Sequence, residues 1–180
     1  MEGCRSINRY ILAIDPSCKE SAFVLIDEET LKVVEMGFLE EKEMLSYISN
    51  LQNRFGTENR YRLAVETIQF LGGTAGATIF RTCILVGRLL ERAEMADFYE
   101  DIMEIYRKDE KMNLCGTMRT NDKGIKDVLI DRFAKDVPNM GKGSKKSPGW
   151  FFGFRADIWQ AYAIGVTYYD LYVLRRRYSQ

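Results

Sequence analysis

Short apolar runs separated by polar turns dominate the first third of the chain, a pattern typical of β-strands. The runs predict four strands, at residues 10–14, 21–26, 32–39 and 61–66. A polar turn at 15–20 joins the first two strands as a hairpin. Between the third and fourth strands, apolar residues recur at helical spacing over 41–54 and stop near Gly56, which predicts an amphipathic helix.

In the rest of the chain, most apolar residues recur at the spacing of an α-helix. A glycine- and threonine-rich stretch at 71–77 leads into a helix predicted at 78–95, which is apolar around much of its circumference. A fifth strand and two more helices are predicted at 101–106, 121–133 and 156–174. Between the last two helices, the stretch 141–149 is rich in glycine, lysine and serine and predicts a flexible basic loop.

A meander of three strands followed by alternating strands and helices predicts an α/β fold. The expected architecture is a mixed five-stranded sheet with helices on both faces, in which the first three strands are antiparallel. No internal repeat or composition break divides the chain, and 180 residues are enough for one sizeable core. The sequence therefore predicts one domain over residues 1–180.

Composition excludes several classes of chemistry. The chain has no histidine, which rules out Ser-His-Asp and Cys-His catalysis and His-ligated zinc. Its 26 basic residues balance 26 acidic ones, so binding of nucleic acid must depend on local clusters of charge. The four cysteines form no CxxC pair, and neither a secretory signal nor a long apolar run is present. We therefore expect reduced thiols, no membrane span and a cytoplasmic location, in a bacterium or a phage-infected cell.

Three acidic residues stand where predicted apolar elements end or begin. Asp15 follows the first strand, Glu66 ends the fourth, and Asp157 lies in the first turn of the last helix. Sites in open α/β sheets form at the edge where strands end. Carboxylates that converge there repel one another and favour a hard cation such as Mg²⁺. Two such ions about 4 Å apart hydrolyse phosphodiesters without any histidine.

Each of these acids also has a purely structural interpretation. An aspartate before Pro16 and Ser17 is a common turn former. Glu66 could be held in its strand by an ion pair, and Asp157 is an acid of the kind that the helix macrodipole favours near a helix start. Taken one at a time, the three positions leave both interpretations open.

Together, the segments around these acids resemble three motifs of the RuvC-type Holliday junction resolvases, which belong to the RNase H-like nuclease superfamily. Residues 11–17, with 21–24, resemble the turn that joins the first two strands of that family. Residues 64–70 are similar to its second motif, and 157–164 to its closing helix, which carries Asp-x-x-Asp before an Ala-x-Ala-Ile run. The order of elements agrees over nearly the whole chain, and a phage-type member is a further expectation.

The resemblance implies an RNase H-like, metal-dependent endodeoxyribonuclease. Such an enzyme resolves Holliday junctions and related branched DNA by two-metal-ion hydrolysis, using Mg²⁺ for which Mn²⁺ substitutes. Its metal ligands would be Asp15, Glu66, Asp157 and Gln160. The second acid of the closing helix falls on Gln160, which can offer only a neutral oxygen. The lysines that the family places near the scissile phosphate would be Lys111 and Lys123.

The resemblance also implies a homodimer that binds four-way DNA junctions and assembles through the helix at 78–95. A core helix within one chain explains the same apolar surface. Phe70 is a candidate stacking wedge at the branch point. Further DNA contacts are expected from basic side chains, namely Arg107, Lys108, Arg119, Lys126, Lys142, Lys145 and Lys146. For the loop 142–146, a solvated surface turn is the alternative interpretation.

Two other classes of protein fit parts of the pattern. A non-catalytic module of the same fold that binds branched DNA is expected if Gln160 marks a lost activity. Sugar-kinase or actin-type ATPases also begin with a strand, an aspartate, a turn and a strand, but they duplicate the fold in a much longer chain. No GK[ST] follows the glycine-rich loop at 72–77, so no nucleotide cofactor is expected.

Overall fold

The computed structural model describes residues 7–69 and 76–175. Within these ranges one sheet has five strands in the order β3-β2-β1-β4-β5. The strands are β1 Arg9–Asp15, β2 Ser21–Asp27, β3 Val33–Leu39, β4 Arg60–Thr67 and β5 Tyr99–Tyr106. Strand β2 pairs antiparallel with both β1 and β3, whereas β4 runs parallel to both β1 and β5. The predicted mixed sheet with an antiparallel meander is confirmed.

The described part of the chain contains five α-helices. They are α1 Glu41–Phe55, α2 Ala77–Ala96, α3 Arg107–Cys115, α4 Asp122–Ala134 and α5 Ile158–Tyr168. A 3₁₀ turn at Pro138–Gly141 precedes α5, and a π-helical turn at Tyr169–Leu174 continues it. The sequence did not predict α3, because residues 107–115 are mostly polar and lack an apolar helical period.

Side chains alternate across the central strand, so the sheet separates two apolar layers. Ile11 and Ala13 of β1 belong to the layer formed with α4 and α5. Leu12 and Ile14 belong to the layer formed with α1 and α2. Both faces of β1 are therefore covered, which explains why its sequence is apolar throughout instead of alternating.

Helix α5 packs closely against β1 and β2 because Gly165 has no side chain. A methyl group at Gly165 would lie 3.1 Å from Cβ of Ala13 and would overlap the end of the Ile26 side chain. This close approach fixes the height of α5 above the sheet. The residue before α5 is Asp157, so the same packing decides where that carboxylate lies.

Helix α2 is buried on one side only. Leu85, Val86, Leu89 and Ala93 face the core, whereas Phe80, Ile84 and Met95 are 60%, 64% and 73% exposed. Among the described residues, no helix is both long enough and apolar enough to cross a bilayer.

Candidate active site

Asp15 and Glu66 meet where β1 and β4 end. The two strands are parallel neighbours with Ile14 opposite Val65, so the next residue on each strand reaches the same edge of the sheet. The Asp15 carboxyl donates a hydrogen bond to the Glu66 carboxylate. Strand pairing thus brings into contact two acids that are far apart in sequence.

The acidic pair is energetically costly in the metal-free protein. Burial, together with the charge of Glu66, raises the pKa of Asp15 from 3.8 to about 8. Burial also raises the pKa of Glu66, although the nearby guanidinium of Arg107 acts in the opposite direction. Near neutral pH the pair therefore shares a proton, and a divalent cation would have to displace that proton to bind.

Asp157 lies at the rim of the same edge. Its charge raises the pKa values of both Asp15 and Glu66, which places it near the pair, but its own side chain is exposed. Within residues 7–69 and 76–175, no three acidic or cysteine side chains are grouped closely enough to hold one ion. Of the four predicted metal ligands, Asp15 and Glu66 are therefore in contact and Asp157 stands beside them. The side-chain oxygen of the fourth, Gln160, accepts a hydrogen bond from Arg107.

An aromatic cluster fixes the segment that leads to Asp157. The rings of Phe151 and Phe154 pack against Trp159 and Tyr162 of α5, with centroids 4.7 to 6.0 Å apart. Mixed tilted and edge-to-face geometries of this kind are favourable for aromatic pairs. The apolar residues before Asp157 thus anchor the end of the loop to the helix that follows it.

Hydrogen bonds of Tyr162 add to this anchoring. Its hydroxyl accepts a hydrogen bond from Nε1 of Trp150 and donates one to the backbone oxygen of Leu31, each at 2.9 Å. The chain then passes through Ala156 with a φ of 40°, in the left-handed region that alanine rarely adopts. The turn that presents Asp157 is therefore held by tertiary contacts.

The guanidinium of Arg107, the first residue of α3, is engaged inside the protein. Its Nη1 donates to Oε1 of Glu110 at 2.7 Å and also to Oε1 of Gln160, and its Nη2 pairs with Asp122. Burial alone would lower the pKa of Arg107, but the carboxylates of Glu110, Glu66 and Asp122 outweigh that effect and raise it. A permanent positive charge thus lies beside the acidic pair.

Glu110 is a buried carboxylate that was not predicted from the sequence. Its side chain is fully buried, and burial raises its pKa to about 7 although Arg107 opposes the shift. In the described part of the chain its Oε2 has no hydrogen-bond partner. The available sequence signal was the spacing of three residues between Arg107 and Glu110, which matters only once α3 is known to be a helix.

A groove of about 550 Å³ runs beside Asp157 and Gln160. Its lining includes four basic side chains, those of Lys123, Lys126, Lys142 and Arg155. Nζ of Lys126 lies 4.9 Å from the ring centre of Trp159, and the guanidinium of Arg155 lies 5.1 Å from that of Phe38. Such cation–π contacts orient the charges. The three lysines were predicted from the sequence, whereas Arg155 was not.

The other predicted DNA-contacting residues lie elsewhere on the surface or outside the described ranges. Lys108 stands 5.3 Å over the ring of Tyr106, and Lys111 is half-buried on α3. Three of the predicted residues are exposed in loops, namely Arg119, Lys145 and Lys146. The predicted wedge, Phe70, lies outside the described residues.

Comparison with solved structures identifies the fold. Thermus thermophilus RuvC aligns with a TM-score of 0.63 at 15% identity, over 94% of this chain and 96% of that one. T. thermophilus RuvC in complex with Holliday junction substrate gives 0.61 at 12% identity, over 89% and 92%. The yeast mitochondrial Holliday junction resolvase Ydc2 gives 0.52 at 12% identity, over 93% and 82%.

The similarity is structural and has no counterpart among sequence comparisons. No protein-family model and no curated protein matches the chain. At 12 to 15% identity the alignments show the fold. The chain has the RNase H-like fold of RuvC, as the resemblance of its motifs implied.

Proposed function

We propose that the chain is a divalent-metal-dependent endonuclease that cleaves Holliday junctions and related branched DNA. The observation that carries the proposal is the contact between Asp15 and Glu66 at the ends of two parallel strands of a RuvC fold. RuvC of T. thermophilus has been solved with a Holliday junction substrate, so a protein of this fold can hold that ligand. A chain without histidine also needs another source of nucleophile activation, which metal ions provide.

The residues present fit a hard cation such as Mg²⁺, with Mn²⁺ as a substitute. Asp15 and Glu66 offer carboxylate oxygens on rigid strand ends, and Asp157 supplies a third carboxylate at the rim. Their mutual repulsion is the reason that a cation is favoured there. When bound, such ions activate a water molecule and neutralise charge on the phosphate. The sequence predicted two ions, and that number remains a prediction.

The groove beside Asp157 is proposed to hold the DNA strand that enters the site. Lys123, Lys126, Lys142 and Arg155 would neutralise its phosphates, which makes binding sensitive to salt. The other predicted basic residues remain proposed DNA contacts outside this groove, namely Arg119, Lys145 and Lys146 in exposed loops and Lys108 and Lys111 on α3. Contacts to phosphate position the duplex without reading its sequence. Phe70 is retained as a proposed wedge at the branch point.

We also propose that the enzyme acts as a homodimer through α2. Phe80 and Ile84 are exposed one helical turn apart, on a helix whose other side is buried in the core. An apolar patch of this kind is characteristic of an interaction surface. A twofold dimer would present two identical sites, which matches the paired strands of a four-way junction.

Cleavage of a synthetic four-way junction tests the proposed activity. With Mg²⁺ the wild-type chain is expected to nick the junction. Asp15→Asn and Glu66→Gln are expected to lower the rate by about 100-fold or more, because each removes a charge from the pair that attracts the cation. The rates are measured under single-turnover conditions on end-labelled junctions.

Glu29→Gln is the matched control, because Glu29 is an exposed acid in the turn between β2 and β3. Since β2 runs antiparallel to β1, this turn lies at the opposite end of the strands from Asp15. It should cleave at the wild-type rate. Equal cleavage by the wild type and both active-site variants would contradict the proposal. Junction binding without cleavage in Mg²⁺ and Mn²⁺ would favour the non-catalytic module, for which Gln160 in place of an acid is the supporting observation.

A further inference from the structure

We infer that the guanidinium of Arg107 is a built-in cation of the active site, occupying the side of the acidic pocket where a second divalent ion would otherwise be held. The chain would then use one divalent ion. This inference rests on the proposed function and concerns the same site. It replaces the two-ion arrangement that the sequence predicts with one divalent ion and one arginine.

The position of Arg107 is set by the strand next to Glu66. Tyr106, the last residue of β5, pairs with Thr67 of β4, so Arg107 emerges beside the end of the strand that carries Glu66. From there its Nη1 reaches Oε1 of Gln160 on α5. The guanidinium thus lies between the strand-end acids and the helix that follows Asp157.

The side chain is also held more firmly than an ordinary surface arginine. Glu110, fully buried and three residues further along α3, accepts from Nη1 at 2.7 Å. Asp122 at the start of α4 pairs with Nη2. One guanidinium therefore connects the starts of α3 and α4 with α5. Its three hydrogen-bond partners hold the planar guanidinium group in one orientation.

The partner on α5 is the residue that departs from the resembled motif. In the Asp-x-x-Asp pattern of the closing helix a second acid stands at the position of Gln160. An acid there attracts a divalent cation, whereas a neutral amide is a weak ligand for one but a good acceptor for an N–H group. The amide oxygen of Gln160 accepts a hydrogen bond from the guanidinium of Arg107. The positive charge of Arg107 therefore explains why an amide stands where the motif has an acid.

A covalently attached cation has chemical consequences. Arginine stays protonated at every working pH and its N–H groups bind phosphate oxygens in pairs. Arg107 would therefore keep positive charge beside the phosphate without an ion to bind or lose. Asp15, Glu66 and Asp157 would be left to hold a single divalent ion.

Mn²⁺ binding to the metal-free, full-length chain tests this inference. Calorimetric titration is expected to give one ion per chain, and electron paramagnetic resonance the spectrum of an isolated ion. Asp15→Asn should abolish this binding. The double variant Arg107→Ala/Gln160→Asp is expected to bind two ions, whose separation of about 4 Å would give a spin-coupled spectrum.

Arg132→Ala is the matched control. Arg132 of α4 makes a two-pronged ion pair with Asp170, at 2.6 and 2.9 Å, so its removal also deletes an arginine link between helices but leaves the acidic pocket alone. It should bind one ion. Should the double variant fail to fold, Gln160→Asp and Arg107→Lys, each made alone, serve instead. Both keep a positive charge at position 107 and should bind one ion, and two ions on either variant would overturn the inference.

The outcomes separate this inference from the proposed function. Two ions on a wild-type chain that cleaves junctions would overturn the inference and leave the function standing. A single ion on both the wild type and the folded double variant would also overturn it, because the guanidinium would then not be what excludes a second ion. No ion and no cleavage would overturn both.

Discussion

The carboxyl of Asp15 is held against Glu66 by two strands that cannot separate without breaking the ladder between β1 and β4. At the scale of single residues, this constraint keeps two carboxyl groups close together although their negative charges repel each other when no metal is bound. A proton shared by the pair relieves part of the repulsion, and a bound cation would relieve more of it. Protonation of Asp15, stability and metal binding are therefore coupled.

The coupling predicts how stability depends on pH. The pKa of Asp15 is raised to about 8 in the folded chain from an ordinary value of 3.8, so the folded state keeps a proton that the unfolded state releases between these values. The stability contributed by this group is fully present below about pH 4 and is lost as pH rises through about 8. Glu110, whose pKa is raised to about 7, acts in the same direction.

Asp15→Asn should therefore stabilise the metal-free protein relative to the wild type, by on the order of 2 kcal/mol near pH 8 and by much less near pH 5. Urea denaturation with a chelator present, repeated over this pH range, measures the difference. Glu29→Gln should show no comparable trend. A stability difference for Asp15→Asn that is the same at both pH values would show that the carboxyl pair is not strained.

At the scale of elements, the contact of α5 with the sheet sets the height of the helix that carries Gln160 and follows Asp157. Helix propensity and packing make opposite predictions for Gly165. Alanine is favoured over glycine in a helix interior by about 1 kcal/mol, so propensity alone predicts that Gly165→Ala is stabilising. Packing predicts the reverse, because the new methyl group would press on Ala13 and overlap Ile26.

We expect packing to dominate. Gly165→Ala should lower the free energy of unfolding by about 1 kcal/mol and Gly165→Val by about 3 kcal/mol, with the loss growing with side-chain volume. Thermal and urea denaturation of the two variants measure this series. A stabilised Gly165→Ala would mean that α5 is free to move away from the sheet, and that the position of Asp157 is not fixed by this contact.

Periodic elements were predictable from the sequence, and elements that depend on tertiary contacts were not. The strands and α1, α2 and α4 carry apolar residues at the right spacing, and Asp15 and Glu66 could be identified because they end such runs. Helix α3 has no such spacing, so Glu110 and the inward direction of Arg107 could not be foreseen. Arg155 escaped prediction because its place in the groove depends on the folded turn before Asp157.

At the scale of the whole molecule, basic and acidic residues balance, so the proposed DNA binding depends on local clusters of charge. Helix α2 exposes three large apolar side chains, those of Phe80, Ile84 and Met95. If α2 is the dimer interface, Ile84→Arg should shift the protein from dimer to monomer, because an arginine would be buried without a partner. Sedimentation velocity over a range of concentrations measures the change.

The matched control for the interface is Val34→Arg on the edge strand β3, where Val34 is 46% exposed and lies outside α2. This variant should dimerise as the wild type does. A wild-type chain that is monomeric at every concentration, or a Val34→Arg variant that dissociates as readily as Ile84→Arg, would contradict assembly through α2.

The proposed metal site would be located by a bound ion at the ends of β1 and β4. Crystals of the full chain soaked in Mn²⁺ and measured at the manganese absorption edge should show an anomalous peak within bonding distance of both Asp15 and Glu66, on the side of Asp157. A peak bound only elsewhere on the molecule, with Asp15 and Glu66 still hydrogen-bonded to each other, would contradict it.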